Sequence, residues 1–169
     1  IPRPFAKMSV LENVMLSPMA QVGERVWGPF LGAAKMRDQE ATIRKRAMGV
    51  LDFVTLAPLA DQAAGQISGG QMKLLELARI LMGDPKLILL DEPAAGVNPS
   101  LTRMLIEKIE ELNRGGKTFV IIEHDMDFVM QHCDPVIALA EGRKVFEGTA
   151  DEAQSNPVLL DAYLGAQVE

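Results

Sequence analysis

The sequence predicts an α/β chain. A helix-rich first half, residues 1–85, precedes a second half, residues 86–169, that alternates strand and helix as βαβαββ. Three observations carry this reading. Leu87-Ile88-Leu89-Leu90 runs straight into Asp91-Glu92-Pro93. Four consecutive apolar residues suit a strand buried on both faces of a parallel sheet, and Pro93, with no N–H to donate, stops the ladder. A second apolar run, Thr118-Phe119-Val120-Ile121-Ile122, follows a helical stretch closed by Gly115-Gly116. Before Leu87, helix starts and helical periodicity dominate, and strand signals are scarce.

In chain order, Ser9 and Glu12 form a capping-box start, with a helix running to about Ala20. Residues 22–36 hold Gly23, Gly28, Pro29 and Gly32 around Trp27 and Phe30 and read as a loop or broken helix, with Trp27 a core anchor. From Arg37 to Leu56, Ile43, Ala47, Val50, Leu51 and Val54 share one helical face, and Arg44, Lys45 and Arg46 lie largely off it as a solvated face. Ala57 to Gln66 is a linker. Ile67-Ser68-Gly69-Gly70-Gln71 opens a helix with the buried stripe Leu74, Leu77, Ala78 and Leu81, ended at Gly83-Asp84-Pro85. Asn98 is a good N-cap for a helix from Pro99 to Asn113, whose Leu101, Leu105, Ile109 and Leu112 face inward. A short helix runs from Asp125 to about His132. Val136–Leu139 and Lys144–Phe146 form a hairpin around Glu141-Gly142, and two short helices broken at Asn156-Pro157 close the chain.

Composition narrows the classes. With 169 residues, 48% apolar and 24% charged, the chain is long enough for one domain with a real core. A net charge of −6 argues against general phosphate-backbone binding, so no nucleic-acid partner is expected. Cys133 is the one cysteine, which excludes an internal disulfide and fits a reducing compartment. No uninterrupted run of about 18 apolar residues occurs, so no membrane span is expected. Ile1-Pro2-Arg3-Pro4-Phe5 has neither an initiator Met nor a signal-peptide pattern and reads as the middle of a chain.

Asp91 and Glu92 are presented at the C-terminal edge of a buried strand, where open α/β sheets place ligands. Two adjacent carboxylates suit a division of roles, in which one steadies a metal and the other takes a proton from water. Alone they fit a solvated acidic turn equally well. Ser68-Gly69-Gly70 stands at a helix N-terminus, an anion site where two glycines allow close backbone approach. Taken by itself, Ser68 is more simply an N-cap. His124 ends a strand region too, beside Asp91 and Glu92 if the strands are neighbours. It can bond a phosphate oxygen or position water, or merely cap a turn. His132, with no neighbouring motif, reads as structural. Gly116-Lys117-Thr118 is not a P-loop: five positions before Gly116 stands Glu111, and a helix precedes where a strand is required. No other Gly-x-x-x-x-Gly-Lys-Ser/Thr occurs.

The order of these pieces resembles ABC-type ATPases over essentially the whole chain. Ile67-Ser68-Gly69-Gly70-Gln71 resembles their signature motif, Leu87 to Glu92 their Walker B strand, Ala94-Ala95-Gly96-Val97-Asn98-Pro99 their D-loop, and Glu123-His124-Asp125 their switch histidine. Asp91–Pro99, Glu123–Val129 and Ala162-Tyr163-Leu164-Gly165 look like the ATP-binding subunits of branched-chain amino acid importers. The resemblance implies a partial P-loop NTPase (ABC ATPase) fold: a helical subdomain, 1–85, with the C-terminal half of a RecA-like core, 86–169. It implies ATP and Mg²⁺ as cofactors. Asp91 would hold Mg²⁺ through water, Glu92 would act as general base or polarise the attacking water, and His124 would contact the γ-phosphate. Ser68, Gly69, Gly70 and Gln71 would grip ATP on the opposite subunit, and Asn98 would lie between the two sites. The implied partners are a second ATPase subunit, identical or related, and membrane permease subunits. The implied location is cytoplasmic, peripheral on the inner face of the cell membrane.

Two departures from the family pattern stand out. Asn98 occupies a position that is often acidic, and the adenine-stacking region, the Walker A loop and a Gln switch loop have no counterpart. The chain is therefore expected to be a fragment, inactive alone, whose sheet exposes edges and apolar faces. Two other readings stay open at this stage: a non-enzymatic ABC-like module acting through partners, and an ABC ATPase for another cargo or outside transport.

Overall fold

The computed structural model describes residues 4–17, 33–157 and 159. Of the predicted loop at 22–36, residues 22–32 lie outside them and residues 33–36 are already helix, four residues ahead of the predicted start at Arg37; the final Ala162–Gly165 stretch lies outside as well. Two compact units divide the chain: Ile1–Ile88 with Ala94–Phe119, and Leu89–Pro93 with Val120–Glu169.

In the first unit, α1 (Val10–Met15) starts at a full capping box in which Ser9 and Glu12 bond each other's backbone N–H. It stops at Met15 rather than near Ala20. Ser17 precedes a proline, and the residue before proline is pushed out of the helical region. Asn13 is fully buried, yet its amide is satisfied: Oδ1 accepts from the Phe5 N–H at 2.7 Å, and Nδ2 donates to the Phe5 and Ser9 carbonyls. That bonding ties the segment before α1 to the helix. The same segment pairs with the chain at 60–65: the Val10 N–H donates to the Gln62 carbonyl and the Ala64 N–H to the Met8 carbonyl.

The long helix α2 (Ala33–Phe53) buries Ala47 and Leu51, and leaves Arg44, Lys45 and Arg46 exposed as expected. It ends three residues before the predicted Leu56. The Leu56 N–H donates to the Leu51 carbonyl and the Thr55 N–H to the Asp52 carbonyl, with Thr55 at φ +61. This is a Schellman ending in which a threonine takes the left-handed position usually given to glycine. Two single 3₁₀ turns, Ala57–Leu59 and Ala64–Gln66, make up the linker. Helix α3 (Gly69–Leu81) buries the whole predicted stripe, Leu74, Leu77, Ala78 and Leu81, together with Leu75. It packs on α1, α2 and the later helix α4 (Pro99–Arg114).

Strands β1 (Leu87–Asp91) and β2 (Thr118–Ile122) pair as neighbours. The Thr118 N–H donates to the Lys86 carbonyl at 2.8 Å and the Glu92 N–H to the Ile122 carbonyl at 2.9 Å. Start meets start and end meets end, so the pair is parallel. One expectation fails. β1 is not buried on both faces: Ile88 is 2% exposed, but Leu87 and Leu89 are 52% and 67% exposed, and Val120 and Ile122 of β2 are exposed as well. An unbroken apolar run does not say how many faces are covered, and among the described residues β1 has one strand neighbour.

In the second unit, α5 (Met126–His132) is capped by Asp125, whose side chain accepts from the Phe128 N–H. Cys133 follows it, half-buried; burial, then the Glu123 carboxylate, push its thiol above the ordinary range. Strands β3 (Val136–Ala140) and β4 (Arg143–Gly148) form the predicted antiparallel hairpin, with a bulge at Ala138/Leu139. Glu141 and Gly142 both have positive φ, the conformation of a type I′ turn. The face bearing Val136, Ala138 and Phe146 packs with Ala153 of α6 (Ala150–Gln154) and with Leu159.

Lys117 pins the start of β2 to the loop before β1: its Nζ donates to Asp84 Oδ1 at 2.8 Å and to the Pro85 carbonyl at 2.9 Å. The hydrogen bond from Lys117, then its charge, hold the Asp84 carboxyl below the usual carboxylate range. A lowered folded-state pKa stabilises above the unfolded value, about pH 4, and is lost as pH falls through the folded value. Lys117→Met should therefore lower stability at pH 6–7 and weaken its dependence on pH below about 4. Urea unfolding of both chains across pH 2–7 measures this; parallel curves would show that the pair contributes nothing. Asn13→Ala should cost about 1–3 kcal/mol by removing the buried amide that bonds the Phe5 N–H and the Phe5 and Ser9 carbonyls, read from the same urea transitions.

Candidate functional site

The predicted site residues fall into two groups, one in each unit. In the second unit, the parallel pairing carries Glu92 and the segment after Ile122 to the same edge. Glu92 keeps its backbone bond to Ile122 while turning to φ +44, a left-handed conformation uncommon for a non-glycine residue. Its carboxylate Oε1 lies 3.3 Å from His124 Nδ1. Both side chains are more than half exposed, so the pair is worth little as a stabilising contact and stays open to an incoming group. The strand-neighbour condition set by the sequence is thus met. Asp91, the last residue of β1, is exposed at the same edge.

No group of three or more His, Cys, Asp or Glu side chains able to hold a metal ion occurs among the described residues. An exposed carboxylate oxygen still suits Mg²⁺, which keeps several waters and binds through one or two carboxylates plus phosphate oxygens. Asp91 fits that kind of site and not an all-protein cage.

In the first unit, Ser68 caps α3. Its Oγ accepts from the Gln71 N–H at 3.3 Å, and Gln71 Oε1 accepts from the Ser68 N–H at 2.8 Å. The capping role therefore stands, and with it the free N–H groups of a helix start. The Ser68 hydroxyl hydrogen remains able to donate. Gly69 is exposed, with nothing within 4 Å of where a Cβ would lie. Gly70 differs: it is buried, and a Cβ there would lie 2.5 Å from Leu101 Cδ1 and 3.0 Å from Val97 Cγ1. Asn98 caps α4, accepting from the Leu101 N–H at 3.0 Å and from the Ser100 hydroxyl at 2.7 Å. The structure thus brings Gly70 and Asn98 onto one shared neighbour, Leu101, which the sequence marked only as inward-facing. Lys117, in the rejected P-loop lookalike, is engaged by Asp84 and Pro85 instead.

The family described as ABC transporter matches residues 2–95. A probable branched-chain amino acid transport ATP-binding protein LivG of Archaeoglobus fulgidus is 41% identical over 99% of this chain and 64% of its own. The high-affinity branched-chain amino acid transport ATP-binding protein LivG of Escherichia coli K12 is 34% identical over 96% of this chain and 64% of its own. Among solved structures, a nucleotide-free ATP-binding cassette from an ABC transporter superposes with a TM-score of 0.76 at 34% identity, covering 94% of this chain and 63% of that one. An ATP-binding cassette in its ADP conformation gives 0.73 at 33% identity, covering 95% and 64%. The chain thus spans about 64% of the length of these curated relatives.

Replacing the cap tests the local geometry. Ser68→Ala should destabilise the chain by about 1 kcal/mol, whereas Ser68→Asn should cost far less, because Asn also caps well. Thermal or urea unfolding of the two variants separates these outcomes; equal stabilities would mean the cap contributes nothing.

Proposed function

We propose that this chain, which belongs to the ABC transporter family and has the ABC ATPase fold, acts as part of an ATP-binding and ATP-hydrolysing subunit of an importer for branched-chain amino acids. The observation that carries this reading is the Glu92–His124 pair, 3.3 Å apart at the C-terminal edge of a parallel strand pair. The names of the relatives support the cargo.

Glu92 takes the proton of the attacking water, and its exposed carboxylate leaves room for that water. His124, whose Nδ1 lies 3.3 Å from Glu92, would bond a γ-phosphate oxygen and help hold the water in line. Asp91 would hold Mg²⁺ through water, and the ion, when bound, would offset charge on the phosphate oxygens. Ser68 and the N–H groups at Gly69 and Gly70 grip the γ-phosphate of ATP carried by a second subunit, aided by the positive end of α3. Gln71 braces that turn, and Asn98 lies between the two sites. The subunit works as a pair, identical or related. Its helical part, residues 1–85, docks on permease subunits, and the assembly lies on the cytoplasmic face of the membrane. No helix among the described residues is long and apolar enough to cross a membrane.

The experiment is MgATP calorimetry on the 169-residue chain beside a version extended upstream to include a Walker A sequence. The extended protein should bind and the short chain should not, because backbone amides and a Walker A lysine carry most phosphate contacts. Tight binding by the short chain would reveal another phosphate site, and no binding by either would favour a non-enzymatic module. In the extended protein, Glu92→Gln should lower turnover by about 10²–10⁴-fold while ATP binding persists. Turnover at the parental rate would remove Glu92 from the role of base.

A further inference from the structure

We infer that Leu101 is a positioning residue that locks the Ser68-Gly69-Gly70 turn to the Asn98 loop, and that the missing side chain of Gly70 serves this packing. The inference rests on the reading of Ser68 and Gly69 as an ATP-gripping turn.

The two glycines stand in different surroundings. Around Gly69 there is open space, so its backbone can meet a phosphate. Gly70 is buried, and a methyl group on it would overlap Leu101, 2.5 Å from Cδ1 and 3.0 Å from Cβ, and press on Val97 Cγ1 at 3.0 Å. Leu101 Cδ1 can turn aside, but Leu101 Cβ moves only with its backbone, and it and Val97 Cγ1, both at 3.0 Å, would have to give by a few tenths of an ångström. The glycine is therefore what lets the start of α3 approach α4 this closely. Leu101 carries the link onward. Its N–H is held by Asn98 Oδ1 at 3.0 Å, so the residue that meets Gly70 also fixes the Asn98 side chain. Val97, the second contact of Gly70, is the residue before Asn98. The turn that would grip ATP and the loop that would lie between the sites thus share one rigid seat, and a shift of either is passed to the other through Leu101. An error of about 1 Å in such positioning costs on the order of 10²-fold in rate.

The test compares Gly70→Ala, Leu101→Ala, the double variant and Gly69→Ala in the upstream-extended ATPase. Gly70→Ala should lower kcat at least about tenfold. It should do less harm in the Leu101→Ala background, where the 2.5 Å contact to Cδ1 is gone and only those at 3.0 Å remain. The loss caused by Gly69→Ala should not be relieved by Leu101→Ala. Parental turnover in Gly70→Ala, or equal harm from it in both backgrounds, would overturn the inference. If the extended parent itself neither binds nor hydrolyses ATP, the functional reading fails; the seat is then judged by urea unfolding of the 169-residue chain. Glycine to alanine inside a helix ordinarily stabilises. A loss of stability in Gly70→Ala, smaller in the Leu101→Ala background, would uphold the seat, and a gain would remove it.

Discussion

The hydrogen bond from the Glu92 N–H to the Ile122 carbonyl is the last rung between β1 and β2, and the geometry of the carboxylate edge depends on it. A parallel pair needs both its ends held, because its strands are joined by a long crossover and not by a tight turn. Lys117 holds the start by reaching Asp84 and Pro85, and Glu92 holds the finish. Between them runs α4, amphipathic and capped at Asn98, which makes the crossover. Glu92 accepts a left-handed backbone directly before Pro93, at a cost of about 1–2 kcal/mol for an L-residue. Strain of this kind collects at functional sites, where the surroundings over-determine the conformation. Here the rung itself does so, and the side chain emerges beside His124.

The first unit solves a different problem. Each of its short loops must end in a defined helix start, and hydroxyl or amide side chains supply it: Ser9 for α1, Ser68 for α3, Asn98 for α4. A cap consumes one lone pair and leaves the rest of the side chain and the neighbouring N–H groups available. Ser68 can therefore belong to the fold and to a ligand site at once, and the contrast between a structural and a functional serine dissolves at this position. The glycines that follow divide the labour, one exposed and one in contact with α4.

Much of this was legible in the residues. β2 has the predicted bounds, the Ser9 capping box and the Ser68 and Asn98 caps are present, and the stripe of α3 is buried as read. These features are local, decided within a turn or two of chain. What was not legible depended on neighbours. Thr55 ends α2 in a conformation that glycine would have advertised, so the helix was read as too long. Leu87 and Leu89 are as apolar as Ile88, and only the layer beneath decides which of them is covered. Asn13 gave no signal at all, since a buried amide is recognised by its partners and not by its type. Within the site, the sequence chose Glu92 and His124 and stated the condition for their meeting. It held no sign of Glu92's backbone turn, and Leu101 looked like any other core leucine.

Cys133 gives the second unit a built-in clock. It is the chain's single thiol, it stands at the end of the helix that follows His124, and burial with the Glu123 carboxylate keeps it protonated. The thiolate, not the thiol, attacks alkylating reagents. Their reaction with this chain at neutral pH is consequently slow while α5 stays docked, and speeds up when the helix end opens to water. The rate of modification then reads local opening beside the carboxylate edge directly, with no residue added to the chain.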